Sequence, residues 1–260
     1  ACEIIMIQLK TKEQIKTIRE GGKILAHILK AVGAEIKPGV TTAFLDEMIH
    51  KMMTEAGGTP SFLNYTPDGA KRPYPAASCI ALNDEIVHGI PNENPKTIKT
   101  GDVVTLDAGL IYGGLYTDHA VTFLVGKVDK KVRELLKAAK EALQAGIDQA
   151  RPGNHIGDIG YAISNLAKQH GFCVIQHLAG HGVGFAVHED PYVPNYGNPG
   201  EGEEIVPGMV LAIEPMFGLG YSGIKLAKDG YTYMTTDGSI AVQVEHTIAI
   251  TEKGPVIMTK

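Results

Sequence analysis

The segment PGVTTAFLDEMIHKMMTEAGG at residues 38–58 has a diverged second copy, PGNHIGDIGYAISNLAKQHGF, at residues 152–172. Both copies open with a Pro-Gly pair, and apolar residues then recur at i, i+3, i+4, i+7 and i+8 from Leu45 and from Ile159. That spacing places the apolar side chains along one face of an α-helix. The sequence therefore predicts the same amphipathic helix twice, and a glycine follows each copy as a stop signal.

A second helix is predicted upstream of each copy. The two upstream helices cover about residues 12–32 and 129–149. The first has Thr11 and Gln14 at the spacing of an N-terminal capping box, in which each side chain bonds the backbone of the other residue. Each half of the chain therefore begins with a pair of helices.

Matching β-rich runs follow the helices, GDVVTLD at 101–107 and GMVLAIE at 208–214, and each run ends in an acidic residue. This pattern predicts an α+β fold in a single domain, residues 1–260, with related halves at about 10–125 and 126–253. The strands of the two halves would pair into one continuous, mainly antiparallel sheet with the helices on one face. The acidic residues would then meet near a pseudo-two-fold axis. Chance similarity between ordinary α+β segments is the alternative.

Composition excludes several classes of function. The chain has 260 residues, 44% of them hydrophobic, which is typical of a globular protein with a sizeable core. The net charge of −5 gives no sign of nucleic-acid binding, and the basic residues of 127–140 have the spacing of a solvated helix face. No apolar run approaches the ~18 residues that span a membrane.

The cysteines and the opening segment indicate the compartment. Three cysteines, Cys2, Cys79 and Cys173, form no disulfide framework, and an odd, low count fits a reducing environment. Residues 1–10 lack the basic leader of a signal peptide. We therefore expect a cytoplasmic protein.

Six acidic and histidine residues are candidates for a two-metal site: Asp107, Asp118, His181, His188, Glu214 and Glu245. Carboxylates are rarely buried in apolar surroundings unless a partner compensates their charge, and a bound cation is such a partner. Asp107 ends one β-rich run, Asp118 lies in the next, and Tyr112-Gly113-Gly114 between them predicts a tight turn. The two carboxylates would lie nearly opposite each other and repel, and cations would remove that penalty.

The remaining candidates occupy positions that suit ligands. His181 lies between two glycines, which let a backbone approach a ligand closely. Glu214 precedes Pro215, which places it at a strand end or in an extended corner. Gln243 and Glu245 alternate onto the same face of the strand pattern VQVEHTIAI. Taken singly, each of these residues also has an ordinary interpretation, such as turn capping or a hydrogen-bonded core position.

Charge favours two metal ions over one. Four carboxylates carry a charge of about −4, which two divalent cations compensate and a single one does not. Oxygen ligands with one imidazole suit Mn, Fe or Co, and Zn is compatible with them. A pair of ions would activate a shared water and stabilise the oxyanion of a hydrolysed carbonyl. A plain α+β domain with an incidental acidic cluster stays open as an alternative.

Six longer motifs carry a resemblance to a known family: NDEIVHGIP (83–91), GDVVTLDAG (101–109), YTDHAVTF (116–123), GHGVGFAVHEDP (180–191), PGMVLAIEPM (207–216) and VQVEHTIAI (242–250). Over roughly residues 9–253 the chain resembles the type I methionine aminopeptidases, metallopeptidases of the pita-bread fold. The resemblance implies a pseudo-two-fold repeat of helices packed on a curved, mainly antiparallel sheet.

The resemblance also implies a ligand set for two divalent ions (Co, Mn, Fe or Zn). Asp118 and Glu245 would bridge the two ions. Asp107 would complete the coordination of one ion, and His181 with Glu214 that of the other.

The implied reaction is removal of an N-terminal methionine by a metal-activated hydroxide that attacks the first peptide bond. Glu214 would act as general base and then acid, His188 would contact the scissile amide and the oxyanion, and His88 would position the amide nitrogen. The matching positions name six candidate walls of the methionine side-chain pocket: Phe62, Tyr65, Tyr74, Cys79, Val187 and Tyr231. Residues 64–79, which supply several of them, are a longer segment than in familiar bacterial members.

Two other functions stay open. A prolidase or aminopeptidase P would share the five ligands, although such enzymes usually have an extra N-terminal domain, which 260 residues cannot hold. They also tend to have glycine at the position of Met216. A binding module that holds peptides without cleaving them would typically lack ligands, and all five are present. The expected partners are N-termini of peptides and nascent proteins that begin with Met, near the ribosome, and the expected state is a monomer.

Overall fold

The computed structural model describes residues 7–67 and 69–260, so Cys2 lies outside the described residues. Four helices in this part of the chain match the four that were predicted: α1 (Lys12–Gly33), α2 (Thr42–Glu55), α3 (Lys130–Gln149) and α4 (Ile156–His170). The predicted capping box is present at the start of α1. Thr11 Oγ1 accepts from the Gln14 N–H, and Gln14 Oε1 accepts from the Thr11 N–H.

The strands of the first half lie between α2 and α3. They are β1 (Thr59–Pro60), β2 (Cys79–Leu82), β3 (Glu85–Val87), β4 (Val103–Tyr112) and β5 (Leu115–Leu124). The strands that follow α4 are β6 (Cys173–Val174), β7 (Ala179–Gly182), β8 (Glu189–Pro194), β9 (Val210–Ile213), β10 (Met216–Gly218), β11 (Ile224–Leu226), β12 (Tyr233–Thr235), β13 (Ala241–Gln243), β14 (His246–Thr251) and β15 (Gly254–Ile257).

The strands form four hydrogen-bonded sheets. The first sheet has the order β1-β4-β2 with β5 also on β4, and the five-stranded sheet has the order β15-β14-β9-β7-β8. The other two sheets have three strands each, in the orders β13-β10-β6 and β11-β12-β3. Each pairing between these strands is antiparallel. The prediction of one continuous sheet was therefore wrong, because breaks at Glu214–Pro215 and Val244–Glu245 divide the ladder.

The two copies of the amphipathic helix bury the predicted faces. Leu45 of α2 is fully buried in a core cluster with Leu25 of α1 and Leu106 of β4. Ile159 of α4 is fully buried in another cluster, with Leu135 of α3. Burial of these apolar faces is the main stabilisation of each helix pair on its sheet. None of the described helices is long and apolar enough to cross a membrane.

The sheets of the two halves meet along β5 and β14. Thr247 Oγ1 donates to the carbonyl oxygen of Asp118 over 2.7 Å and accepts from its N–H over 2.9 Å. The Glu245 N–H donates to the carbonyl oxygen of Ala120 over 3.0 Å. Two candidate metal ligands are therefore fixed to the line where the two sheets join.

Candidate metal centre

Asp107 and Asp118 lie on the same face of the β4–β5 hairpin. Asp107 is in the middle of β4, so the prediction that it ends a strand was wrong. Its Cα pairs with that of Ala120, while Asp118 pairs with Gly109. The two carboxylates are thus diagonal neighbours and not directly opposite, because the tight turn at 113–114 fixes the register.

His181 lies in β7, where the glycines on both sides allow a close packing of strands. A Cβ on Gly180 would lie 2.2 Å from the Ala212 oxygen, and one on Gly182 would lie 2.2 Å from the Asp190 oxygen. His181 Nδ1 donates to the Gly182 carbonyl over 2.8 Å. This bond fixes the tautomer of the neutral ring, so Nε2 carries the free lone pair that a metal needs.

Glu214 and Glu245 occupy breaks between strands. Glu214 lies between β9 and β10, as the following proline predicted, and Asn195 Nδ2 donates to its carbonyl oxygen over 2.9 Å. Glu245 lies between β13 and β14, so its prediction as a residue inside a strand was wrong. The reason is that its N–H bonds Ala120 of the other half.

The structure brings all five predicted ligands together. One candidate ligand atom from each of Asp118, His181 and Glu245 lies within 4.8 Å of the others. His181 Nε2 is 3.7 Å from Glu214 Oε1. Asp107 faces Asp118 across the hairpin. Side chains from β4, β5, β7 and the two breaks therefore converge on one point.

Burial dominates the electrostatics of this cluster. It raises the pKa of Asp107 to about 7. It raises the pKa of Asp118, Glu214 and Glu245 well above their ordinary values, and repulsion between the carboxylates adds to the effect. Burial lowers the pKa of His181 to about 3, so its ring is neutral. Four buried carboxylates without a cation are an unfavourable arrangement.

Two carboxylate oxygens show that the residues fit divalent cations. Asp107 Oδ1 and Glu245 Oε1 are buried and have no hydrogen-bond partner among the described residues. Buried charged oxygens need partners, and hard divalent ions bind such oxygens together with imidazole nitrogen. Cys79 lies beside Asp107, but burial raises the pKa of its thiol well above the ordinary value, so it stays protonated. The donor set is therefore oxygen and nitrogen.

A largely apolar pocket opens onto the cluster. Five of the six predicted walls line it: Phe62, Tyr65, Tyr74, Cys79 and Tyr231. The sixth, Val187, packs in the same apolar cluster as four of these side chains. The five candidate ligands line the same pocket. An apolar side chain that entered it would bring its backbone to the carboxylates.

The two predicted substrate-facing histidines, His88 and His188, also line the pocket. His88 has a left-handed backbone conformation with φ of 59°, which is uncommon for a residue other than glycine. Burial, with a smaller contribution from His188, lowers the pKa of His88 to about 4. Burial also lowers the pKa of His188, whose Nδ1 lies 3.0 Å from the Tyr65 hydroxyl. Both rings are neutral at pH 7.

The sequence model of metallopeptidase family M24 matches residues 16–252. The chain belongs to this family. It is 44% identical to a methionine aminopeptidase from Aquifex aeolicus, over 98% of this chain and 99% of that protein. It is 37% identical to methionine aminopeptidase 1 of Bacillus subtilis, over 98% of this chain and all of the relative.

Solved structures agree with this M24 assignment. Methionine aminopeptidase from Thermotoga maritima is 40% identical and superimposes with a TM-score of 0.93, covering 98% of this chain and 100% of that one. Prolidase from Pyrococcus horikoshii is 25% identical and superimposes with a TM-score of 0.75. This match covers 97% of this chain but only 63% of the prolidase. The predicted α+β pita-bread fold and the resemblance to methionine aminopeptidases are confirmed.

One buried residue of this M24 site was not predicted as part of it. Gln243 Nε2 donates to Glu214 Oε2 over 3.0 Å and lies 3.5 Å from Asp107 Oδ2. Its position on the same face as Glu245 was a signal in the sequence. That signal did not show which acidic residues the amide would join.

Proposed function

We propose that this protein removes the N-terminal methionine from peptides and nascent proteins, as a metal-dependent aminopeptidase acting in a single catalytic domain. The observation that supports this best is that the carboxylate cluster and a set of buried aromatic side chains line one largely apolar pocket. A pocket of this kind takes one side chain and presents the adjoining peptide bond to the cluster. The M24 assignment and the full-length relatives named methionine aminopeptidase support the same proposal.

Two divalent ions would be held by Asp107, Asp118, His181, Glu214 and Glu245. When bound, such ions activate a water molecule and stabilise the negative charge that develops on the carbonyl oxygen. The chain contributes a buried arrangement of donors whose negative charge compensates that of the ions. Gln243 holds Glu214 in place, and the bond from His181 to Gly182 orients the imidazole.

The pocket residues would select the side chain. Phe62, Tyr74 and Tyr231 are buried aromatic residues, and the rings of Tyr74 and Tyr231 meet edge to face at 5.1 Å. A flexible, unbranched thioether packs well against aromatic edges. Discrimination against close analogues would be modest, because one methylene is worth ~1–3 kcal/mol.

The neutral histidines would bind the scissile amide. If the Tyr65 hydroxyl donates to His188 Nδ1, Nε2 of that ring carries a proton and can donate to the carbonyl oxygen of the substrate. Such a donor gains strength as negative charge develops on that oxygen. His88 would position the amide nitrogen, and Glu214 would accept the proton of the attacking water and return it to the leaving amine.

Peptidases that act before proline are the second candidate, because prolidases share the fold. The decisive experiment is to purify the protein, measure its metal content and compare Met-Ala-Ser with Xaa-Pro peptides. We expect cleavage of Met-Ala-Ser, loss of activity in chelator and recovery with Mn, Fe or Co. Preferential cleavage of Xaa-Pro would contradict the proposal. The presence of two ions from the set Co, Mn, Fe or Zn, the cytoplasmic location, the proximity to the ribosome and the monomeric state stay predictions.

A further inference from the structure

Three of the chain segments that line the apolar pocket are joined to one another. Residues 62–74 supply Phe62, Tyr65 and Tyr74, the loop after β3 carries His88, and the turn at 229–232 carries Tyr231. Tyr231 is 7% exposed, so its ring is a true wall and not a surface side chain.

Arg72 joins these three segments. Its guanidinium makes two hydrogen bonds to the carboxylate of Glu93, Nη1 to Oε1 and Nη2 to Oε2, the latter of 2.7 Å. Nη2 also lies 3.2 Å from the carbonyl oxygen of Asp229. The backbone carbonyl of Arg72 accepts a hydrogen bond from the Tyr231 hydroxyl, and the guanidinium carbon is 5.9 Å from the centre of the Tyr231 ring.

The turn that carries Tyr231 is itself tightly held. Asp229 Oδ1 accepts from the N–H groups of Tyr231 and Thr232, over 2.8 and 2.9 Å. Thr232 Oγ1 lies 3.3 Å from the carbonyl oxygen of His88. A displacement of the Arg72 side chain would therefore reach the wall at Tyr231, whereas the bonds that Asp229 and Thr232 make to this turn and to His88 do not involve the Arg72 guanidinium.

We propose that Arg72 is a specificity-determining positioning residue, which holds Tyr231 against the methionine side chain through its pair with Glu93. The inference rests on the proposed aminopeptidase function. Arg72 does not line the pocket, so it acts through Tyr231 and not by touching substrate. The deeper bond from the Tyr74 hydroxyl to the Gly89 carbonyl, 2.9 Å, does not involve Arg72 and still joins these two segments when Arg72 is replaced.

The ion pair between Arg72 and Glu93 is partly exposed to solvent. The side chains of Arg72 and Glu93 are 39% and 36% exposed, so salt screens their attraction. Lysine cannot reproduce two parallel hydrogen bonds to a carboxylate. Substrate affinity should therefore depend on ionic strength and on the guanidinium itself, while turnover and metal content should not.

The test uses Arg72→Met, Arg72→Lys, Glu93→Gln and the Arg72→Met/Glu93→Gln double variant, each assayed on Met-Ala-Ser and Leu-Ala-Ser. We expect KM for Met-Ala-Ser to rise about two- to fivefold in each single variant, with kcat and metal content unchanged. We expect the preference for Met over Leu to narrow. The KM of the double variant should be no higher than that of Arg72→Met. Raising NaCl from about 0.05 to about 0.5 M should raise the KM of the wild type more than that of Arg72→Met.

Lys51→Met is the matched control, because Lys51 and Glu55 form an exposed pair on α2, with Nζ to Oε1 of 3.8 Å, and neither residue lines the pocket. Its KM should equal that of the wild type. If the wild type is active and both Arg72→Met and Glu93→Gln keep its KM and its preference for Met over Leu, the proposed role of Arg72 is overturned. The proposed aminopeptidase function is then unaffected. A wild type that leaves Met-Ala-Ser intact would overturn the proposed function and this inference with it.

Discussion

Gln243 donates a hydrogen bond of 3.0 Å from Nε2 to Oε2 of Glu214. The same nitrogen lies 3.5 Å from Oδ2 of Asp107. These two acidic residues occupy corresponding positions in the matching runs GDVVTLD and GMVLAIE. A neutral amide therefore lies between the equivalent carboxylates of the two repeats, where it reduces their repulsion without adding charge.

Asp118→Asn should remove bound metal and nearly all peptidase activity, because the amide leaves the remaining ligands with one anionic donor fewer. Metal analysis of the purified variant and its turnover of Met-Ala-Ser measure this. Asp129→Asn, at an exposed position before α3, is the matched control and should retain both. Turnover close to that of the wild type in Asp118→Asn would exclude Asp118 from the metal centre.

His88→Ala should bind metal normally while turnover falls by ~10²-fold, the scale of a lost acid–base or positioning group. His88→Asn is a useful second variant, because asparagine tolerates the left-handed backbone that His88 adopts. His27→Ala, an exposed change on α1, is the control. A loss of metal in both His88 variants would instead identify His88 as a ligand.

The ionisation of Asp107 should make the stability of the metal-free protein depend on pH. Its folded pKa is raised from 3.8 to about 7, so between these values the folded state holds a proton that the unfolded state has released. The contribution of Asp107 to the free energy of unfolding therefore falls as the pH rises from about 4 to about 7.

Thermal unfolding in excess chelator measures this dependence against Asp107→Asn, which is neutral at every pH. The melting temperature of the wild type should fall relative to that of the variant over that interval. A melting temperature of the wild type that rises relative to that of the variant would contradict the assignment of a raised pKa.

Lys10→Met should destabilise the protein strongly. Lys10 Nζ pairs with Glu189 Oε2, and the two side chains are only 2% and 7% exposed. Removal of one partner leaves a buried charge without compensation, which costs about 3–5 kcal/mol. Glu189 also accepts from the N–H groups of Phe185 and Ala186 and is adjacent to His188, so kcat should fall as well.

Urea unfolding measures that loss of stability. The Lys10→Met/Glu189→Gln double variant should regain part of it, because the unpaired charge is gone. Lys37→Met, which breaks an exposed pair with Glu35, should unfold like the wild type. Equal stability of Lys10→Met and the wild type would show that the pair contributes nothing.

Local patterns in the sequence were sufficient for the helices and for the acidic and histidine residues that the fold brings together. The apolar spacing from Leu45 and Ile159 predicted α2 and α4, because burial of one face is what stabilises such helices. The acidic residues in apolar runs identified the cluster, because a buried carboxylate needs a compensating partner.

Contacts between distant segments could not be predicted from the same patterns. The break at Glu245 follows from a hydrogen bond to Ala120, more than a hundred residues away in the chain. The diagonal offset of Asp107 and Asp118 follows from the strand register, and the pairing of Lys10 with Glu189 from the packing of the N-terminal segment. None of these leaves a periodic signal in the sequence.

The two hydrogen bonds between Thr247 and the backbone of Asp118 place the ligands where the sheets of both halves meet. An ion bound there would engage both halves at once, and it would bind the folded chain in preference to the unfolded one. Metal supply would then govern how long a molecule survives in the cell as well as whether it works, because the ion-free form would open more often to proteases.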